Sequence, residues 1–176
     1  MKKLISSIIA IVFALNISAY AEEKLTIEKQ LVGIVGAISG TVKTETRELK
    51  AGDKIYLNET IYAGVGAGTQ ILLLDQSTFT IGEDSEVVMD TFVFDPETND
   101  GKIVASVKQG SLKVISGLIS KKNPDSLTVE VPEGTLGSRG TEFQTIVSKG
   151  KTDTLLIGPG KNNTLGMRPG AVLVGN

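Results

Sequence analysis

The chain contains no cysteine, no histidine and no tryptophan among its 176 residues. Without cysteine there is no disulfide to staple a small core, no thiolate for zinc or nucleophilic attack, and no sulfur to carry a lipid. Without histidine, imidazole acid–base chemistry and imidazole metal ligation are absent. Aromatic residues make up only 5% of the chain, and no basic block accompanies them. Neither a base-stacking ladder nor a phosphate-tracking surface results, so nucleic acid is not an expected partner. There are five prolines in all and no long Gly/Ser tract, which argues against an interior linker and a second autonomous domain.

Long apolar runs are also scarce, and the main one lies at the start. Lys2 and Lys3 precede the run Leu4 to Leu15, and Ala19-Tyr20-Ala21 places small residues at the two positions expected before cleavage. The run is short against the roughly 20 residues that span a bilayer. Residues 1–21 therefore read as a cleavable signal peptide, with a mature end near Glu22, and no stable membrane insertion is expected after cleavage. Losing Lys2 and Lys3 from 18 basic residues against 20 acidic ones leaves 16 minus 20, a formal net charge of −4. The expected location is periplasmic or secreted.

What the chain has in quantity is glycine, 20 residues, set between short apolar runs. The densest alternation is Leu49 to Gly82. Gly52-Asp53 marks a turn, Ile55, Leu57 and Ile61 point inward, and Gly64, Gly66 and Gly68 supply turn dihedrals. Ile71 to Leu74 forms a strand, Asp75 to Ser77 turns it, and Phe79 with Ile81 begins the return. A helix would repeat its apolar positions about every 3.6 residues without so many interior glycines. Upstream, Glu22 to Gln30 is a polar arm. Leu31 to Ile38 is a strand in which Gly36 permits a close backbone approach, and Thr41 to Thr44 is its return.

Downstream, Glu86 to Phe94 divides into Val87, Met89 and Val93 on one side and Val88, Phe92 and Phe94 on the other, with Asp90 and Thr91 where the pattern weakens. Asp95 to Gly101 turns the chain. Lys102 to Val107 and Ser111 to Ile115 are ordered as a hairpin about Gln109-Gly110, and Ser116 to Ser126 is a longer connection with Lys121-Lys122-Asn123-Pro124 exposed. Leu127 to Val131 is a strand, Arg139-Gly140-Thr141 leads another through Phe143, Thr145 and Val147, and Thr154 to Ile157 and Ala171 to Val174 are the last. The fold class is all-β, either an irregular β-solenoid or a rolled β-sandwich of short strands. Ile71, Leu73, Phe92, Val104, Val129 and Phe143 are expected in the core.

Chemical motifs fail in context. Gly64-x-Gly66-x-Gly68 precedes a strand, not the helix a nucleotide loop requires, and Gly158-Pro159-Gly160-Lys161 lacks the spacing and hydroxyl of a phosphate loop. Asp95, Glu97, Asn99 and Asp100 offer oxygens to calcium. However, Asp100 sits where an EF-hand needs glycine and Ser106 where it needs a carboxylate, so the stretch reads as a solvated turn. Ser138 beside Arg139 has no apparent base. No catalytic, cofactor-binding or metal residue is nominated, no cofactor is expected, and the chain does not read as an enzyme.

Gly52-Asp53, Tyr62-Ala63-Gly64, Gly66-Ala67-Gly68-Thr69, Asp75-Gln76-Ser77 and Arg139-Gly140-Thr141-Glu142-Phe143 occur in an order and spacing that resembles the FecR domain family over roughly residues 31 to 147. The resemblance implies an extracytoplasmic β-rich domain used in binding or envelope organisation. It gives Gly52, Asp53, Gly64, Asp75, Arg139, Gly140, Thr141 and Phe143 structural roles. Arg139 is expected to meet a carboxylate and Gly140 to supply a positive φ or a close crossing. Relatives that regulate iron uptake resemble larger transmembrane regulators with a cytoplasmic segment controlling a sigma factor. Here the signal peptide stands in that place, which argues against direct sigma-factor control.

The expected organisation is a signal peptide over 1–21, an arm over 22–30 and a FecR-like β domain over 31–176, whose closure is less clear after residue 147. The expected function is a noncatalytic interaction module in envelope sensing or assembly. It would contact a protein or an envelope polymer through an exposed sheet edge or through the Ser116–Ser126 loop, where Lys121 and Lys122 meet acidic groups. A structural envelope protein without a switching role is the alternative, and an envelope-polymer-processing enzyme a more distant one. Homo-oligomerisation is left open.

Overall fold

Short alternating runs closed off by Gly, Asp and Asn turns produce strands throughout the residues that the computed structural model describes, 29–159 and 169–175. In chain order these are β1 (Leu31–Ser39), β2 (Val42–Lys43), β3 (Lys54–Tyr56), β4 (Thr60–Ala63), β5 (Gly68–Leu73), β6 (Thr78–Ile81), β7 (Ser85–Phe94) and β8 (Gly101–Ile115). One short helix, α1 (Leu118–Lys122), follows, and then β9 (Leu127–Val131), β10 (Gly134–Ser138), β11 (Glu142–Ser148), β12 (Lys151–Gly158) and β13 (Val172–Gly175). The signal peptide and most of the polar arm lie outside the described residues.

The chain is all-β, and its sheet curls into a half-barrel. One wing runs β3-β1-β5-β6-β8-β11-β12 and the other β2-β4-β7-β8-β9-β10-β13. Neighbours are antiparallel except β8 and β9, which run parallel. Solenoid coils stack each repeat only on its neighbours. Here β8 collects partners from both ends of the sequence, so the rolled arrangement is the one adopted.

β8 is the strand that both wings share. Its first half pairs with β7 and β9, and its second half with β6 and β11. Between the halves Gly110 takes φ +84°, and a side chain there would overlap Ser85 and the Asp84 carbonyl. This corrects the expected hairpin about Gln109-Gly110. A positive-φ glycine can reverse a chain or bend it, and here the ladder continues past the bend into the other wing.

Other departures have similar causes. The register of β7 against β8 shifts between Met89 and Thr91, and such a bulge reverses the alternation of side chains. Val87, Met89 and Phe92 therefore share the core face, and Val93 is 58% exposed. β2 pairs with β4 and not with β1, so Thr41 to Thr44 is not the return of the first strand. The close approach in β1 belongs to Gly33, whose added Cβ would overlap the Leu72 carbonyl oxygen. At Gly36 it would meet the Leu72 side chain at 3.2 Å and the Gln70 carbonyl oxygen only at an ordinary 3.6 Å.

All six expected core residues are buried. Registers across the first wing align Val35, Ile71, Phe79, Val114, Phe143 and Leu156 in one inward row. The first five are sealed, whereas Leu156 on β12 is 41% exposed. The last strand thus overhangs the core it extends.

Candidate functional site

The Arg139-Gly140-Thr141 segment links β10 to β11. Arg139 donates from Nε and Nη2 to the two carboxylate oxygens of Asp125, at 2.8 and 3.0 Å, the fork geometry that a guanidinium matches. That hydrogen bonding holds the guanidinium above its ordinary value. Asp125 is the carboxylate the sequence left unnamed. Gly140 takes φ +61°, and Thr141 is buried.

Behind this turn lies a knot of hydroxyls. Ser116 Oγ donates to the Thr141 carbonyl at 2.8 Å, accepts from the Thr141 N–H at 3.2 Å and lies 2.9 Å from Ser138 Oγ. Ser120 Oγ donates to the Ser138 carbonyl, and Thr141 Oγ1 to the Gly158 carbonyl at 2.6 Å. A second buried cluster adjoins it. The Asp75 carboxylate accepts from the Ser77 N–H at 3.0 Å and from its hydroxyl at 2.8 Å. Ser77 Oγ in turn accepts from Gly117 N, and Leu118 N donates to the Asp75 carbonyl. Two motif pieces far apart in sequence therefore converge on Ser116-Gly117-Leu118.

Ser116 to Ser126 is exposed at Lys121, Lys122 and Pro124, as expected, with Asn123 half-buried, but its first half is part of this junction. It contains α1, with Ile119 and Ser120 buried. The two lysines expected to act together are separated. Lys122 is held by Asp100 at 2.8 Å and by the Thr98 carbonyl. Lys121 is exposed and lines an open cleft with Ile115, Gly140, Thr141, Gly158 and Pro159. Glu142, on the same cleft, is paired with Lys113 at 2.6 Å.

The remaining expected positions serve elsewhere. Gly52 takes φ +90°, and Asp53 accepts from the Lys50 N–H at 2.8 Å, closing a turn pinned to Val35 of β1. In the Gly64-Gly66-Gly68 stretch the left-handed residue is Gly66, at φ +66°. Gly64 is held through its N–H by the Thr41 carbonyl. Phe143 is fully buried. The Asp95 carboxylate spends its oxygens on Glu97 N and Thr98 within its own turn.

Sequence reasoning did not mark the outer edge of β12. Among the described residues it pairs with β11 alone, and Leu155, Leu156 and Ile157 are 64%, 41% and 44% exposed. The run Thr154 to Ile157 was legible as a strand, but its having one neighbour among the described strands was not. Chemically, the junction is a set of mutually satisfied hydroxyls beside an open cleft. Among the described residues no three Asp, Glu, His or Cys side chains gather as metal ligands, and no helix is long and apolar enough to cross a membrane.

No curated protein and no solved structure matches the chain. The family model described as FecR protein matches residues 59–157, beginning inside the span of the sequence resemblance and ending beyond it, at the end of β12. The family is regulatory and non-enzymatic, associated with the cell envelope and with protein interactions. Because that match covers more than half of the 176 residues and contains the Asp75 and Arg139-Gly140-Thr141 clusters, the chain belongs to the FecR protein family.

Proposed function

We propose that this chain is an exported, noncatalytic interaction module, residues 31–176 acting as one β domain in the periplasm or outside the cell, in envelope sensing or assembly. Its partner is a protein that adds an extended segment to the free edge of β12. The observation that carries this is the edge itself. An unpaired strand presents a row of N–H and C=O groups that another strand completes, and proteins ordinarily blunt such edges with charge or proline. In β12 the charges stop at Asp153, and the apolar residues from Leu155 to Ile157 stand on both sides of the strand. A partner strand laid there would cover Leu156, where the inward row runs out.

A photo-crosslinking residue placed at Leu155 in the native compartment tests this. The expected product is a discrete adduct mapping to an extended segment of a second polypeptide. It should be lost when Ile157→Lys is added to a chain that still folds, and should not form from Val93. Absence of an adduct, or an adduct indifferent to Ile157→Lys, overturns the edge. Turnover of a defined envelope substrate by the purified protein overturns the noncatalytic reading.

A further inference from the structure

On the other wing, β2, β4, β7 and β8 bring four side chains into one outward row. Lys43 is in register with Tyr62, Tyr62 with Glu86, and Glu86 with Gln109. Ile61 and Val87 point into the core beside them, which sends Tyr62 and Glu86 outward. At about 4.8 Å per strand the row spans roughly 14 Å. Two adjoining clefts of about 380 and 360 Å³ flank it and share Thr41, Lys43 and Tyr62. Together they form an open trough with an aromatic ring at its middle.

We propose that this trough binds carbohydrate, specifically a neutral glycan chain. A sugar ring offers an apolar C–H face that stacks on an aromatic ring, and hydroxyls that both donate and accept. Tyr62 supplies the platform, and an ammonium, a carboxylate and an amide stand in register beside it. Those groups have capacity to spare. Among the described residues Lys43 and Glu86 have no ion-pair partner, whereas Arg47 is committed to Glu59 at 2.5 Å. Gln109 donates to the Asp84 carbonyl at 3.2 Å, leaving its own oxygen to accept.

The charge of the lining excludes one class of glycan. Lys43 and Arg47 stand against Glu45, Glu48, Asp84 and Glu86, two positive groups against four negative. A polyanionic chain is repelled and a neutral one is not. The trough is shallow and open at both sides, which suits a polymer crossing the strands rather than an enclosed small molecule. This inference is independent of the β12 edge, which lies on the opposite wing, and either can fail alone.

The test is a titration of the purified protein with cellohexaose, chitohexaose, polygalacturonate and hexalysine, following the Tyr62 ring resonances and the heat of binding. Saturable binding of at least one neutral hexasaccharide is expected. Tyr62→Ala should weaken it about tenfold, while Tyr62→Phe, which keeps the ring, should change it by less than about threefold. Should Tyr62→Ala fail to fold, the exposed changes Lys43→Ala and Gln109→Ala decide, each expected to weaken binding measurably. The proposal is overturned if neither neutral hexasaccharide moves Tyr62, if polygalacturonate or hexalysine binds more tightly, or if the row variants leave affinity unchanged.

Discussion

Two glycines at the motif junction separate steric need from conformational need. Gly140 takes φ +61°, but an added Cβ would find its nearest neighbour, the Ser120 carbonyl oxygen, 3.8 Å away. Gly140→Ala thus meets only the left-handed backbone penalty, about 1 kcal/mol. Gly117 has an ordinary negative φ of −93°, yet a Cβ there would overlap the Asp75 carbonyl oxygen and the Ser77 nitrogen. Gly117→Ala must displace the whole Asp75–Ser77 turn, at about 3 kcal/mol. Urea unfolding of both variants is expected to rank Gly117→Ala as the more damaging, and the reverse order would refute this account. The acid response is also set by single residues. The Asp100 carboxyl is held below its ordinary 3.8, first by the hydrogen bond from Lys122 and then by Asn123. A depressed folded value contributes stability that is present above the unfolded value and lost as pH falls through the folded one. The difference in melting temperature between the parent and Asp100→Asn is therefore expected at neutral pH and should close in acid. A gap that stays constant with pH would show that the charge plays no part.

At the level of strands, Gly110 carries the greatest consequence, because it sits where β8 passes from one wing to the other. Gly110→Ala combines a φ of +84° with overlap on Ser85 Cα, 2.5 Å away, and the Asp84 carbonyl. The expected cost is about 3 kcal/mol or more, read as loss of a single cooperative transition in thermal unfolding. Ser85→Ala is not expected to rescue it, since the obstruction is backbone. A stable, cooperative Gly110→Ala protein would mean that the two wings do not depend on this bend. The same strand shows what the sequence makes legible. The strands from Ile71 to Ile81, from Leu127 to Val131 and through Phe143 to Val147 could be read because local turn residues bracket local alternation, whereas β10, Gly134–Ser138, whose glycines and hydroxyls show no such alternation, was not. Four of the six expected core positions, Ile71, Leu73, Val129 and Phe143, followed from that local alternation. The continuity of β8, the bulge that moves Phe92 onto the Val87 side, and the pairing of β2 with β4 are settled by which strand lies alongside. No window of neighbouring residues encodes that choice. The site divides in the same way. Asp75-Gln76-Ser77 and Arg139-Gly140-Thr141 were visible as separate pieces. Their meeting at Ser116-Gly117-Leu118, and the separation of Lys121 from Lys122 by the Asp100 ion pair, exist only once the chain is rolled.

For the molecule as a whole, pairing falls away from β8 toward the edges, and local stability should follow. β8 has β6, β7, β9 and β11 as partners, whereas among the described residues β12 and β13 are each held from one side. Amides opened only by global unfolding exchange slowest, and those on singly paired, exposed strands open locally. Hydrogen exchange on the dilute protein is therefore expected to place β8 at the slow limit, with β5, β6 and β7 close behind. β12 should exchange quickly along the edge that faces away from β11, most clearly between Thr154 and Gly158. This gradient bears directly on the interaction reading, since a docking edge must be unoccupied before its partner arrives. Slow exchange across β12 at every protein concentration would mean that the edge is already covered within the chain, and the strand-addition reading would be lost. Slow exchange that appears only as concentration rises would identify the occupant as a second copy of the same chain. Fast exchange that becomes slow only when the crosslinked partner is added back is the expected result, because strand addition completes the hydrogen bonds that the free edge lacks.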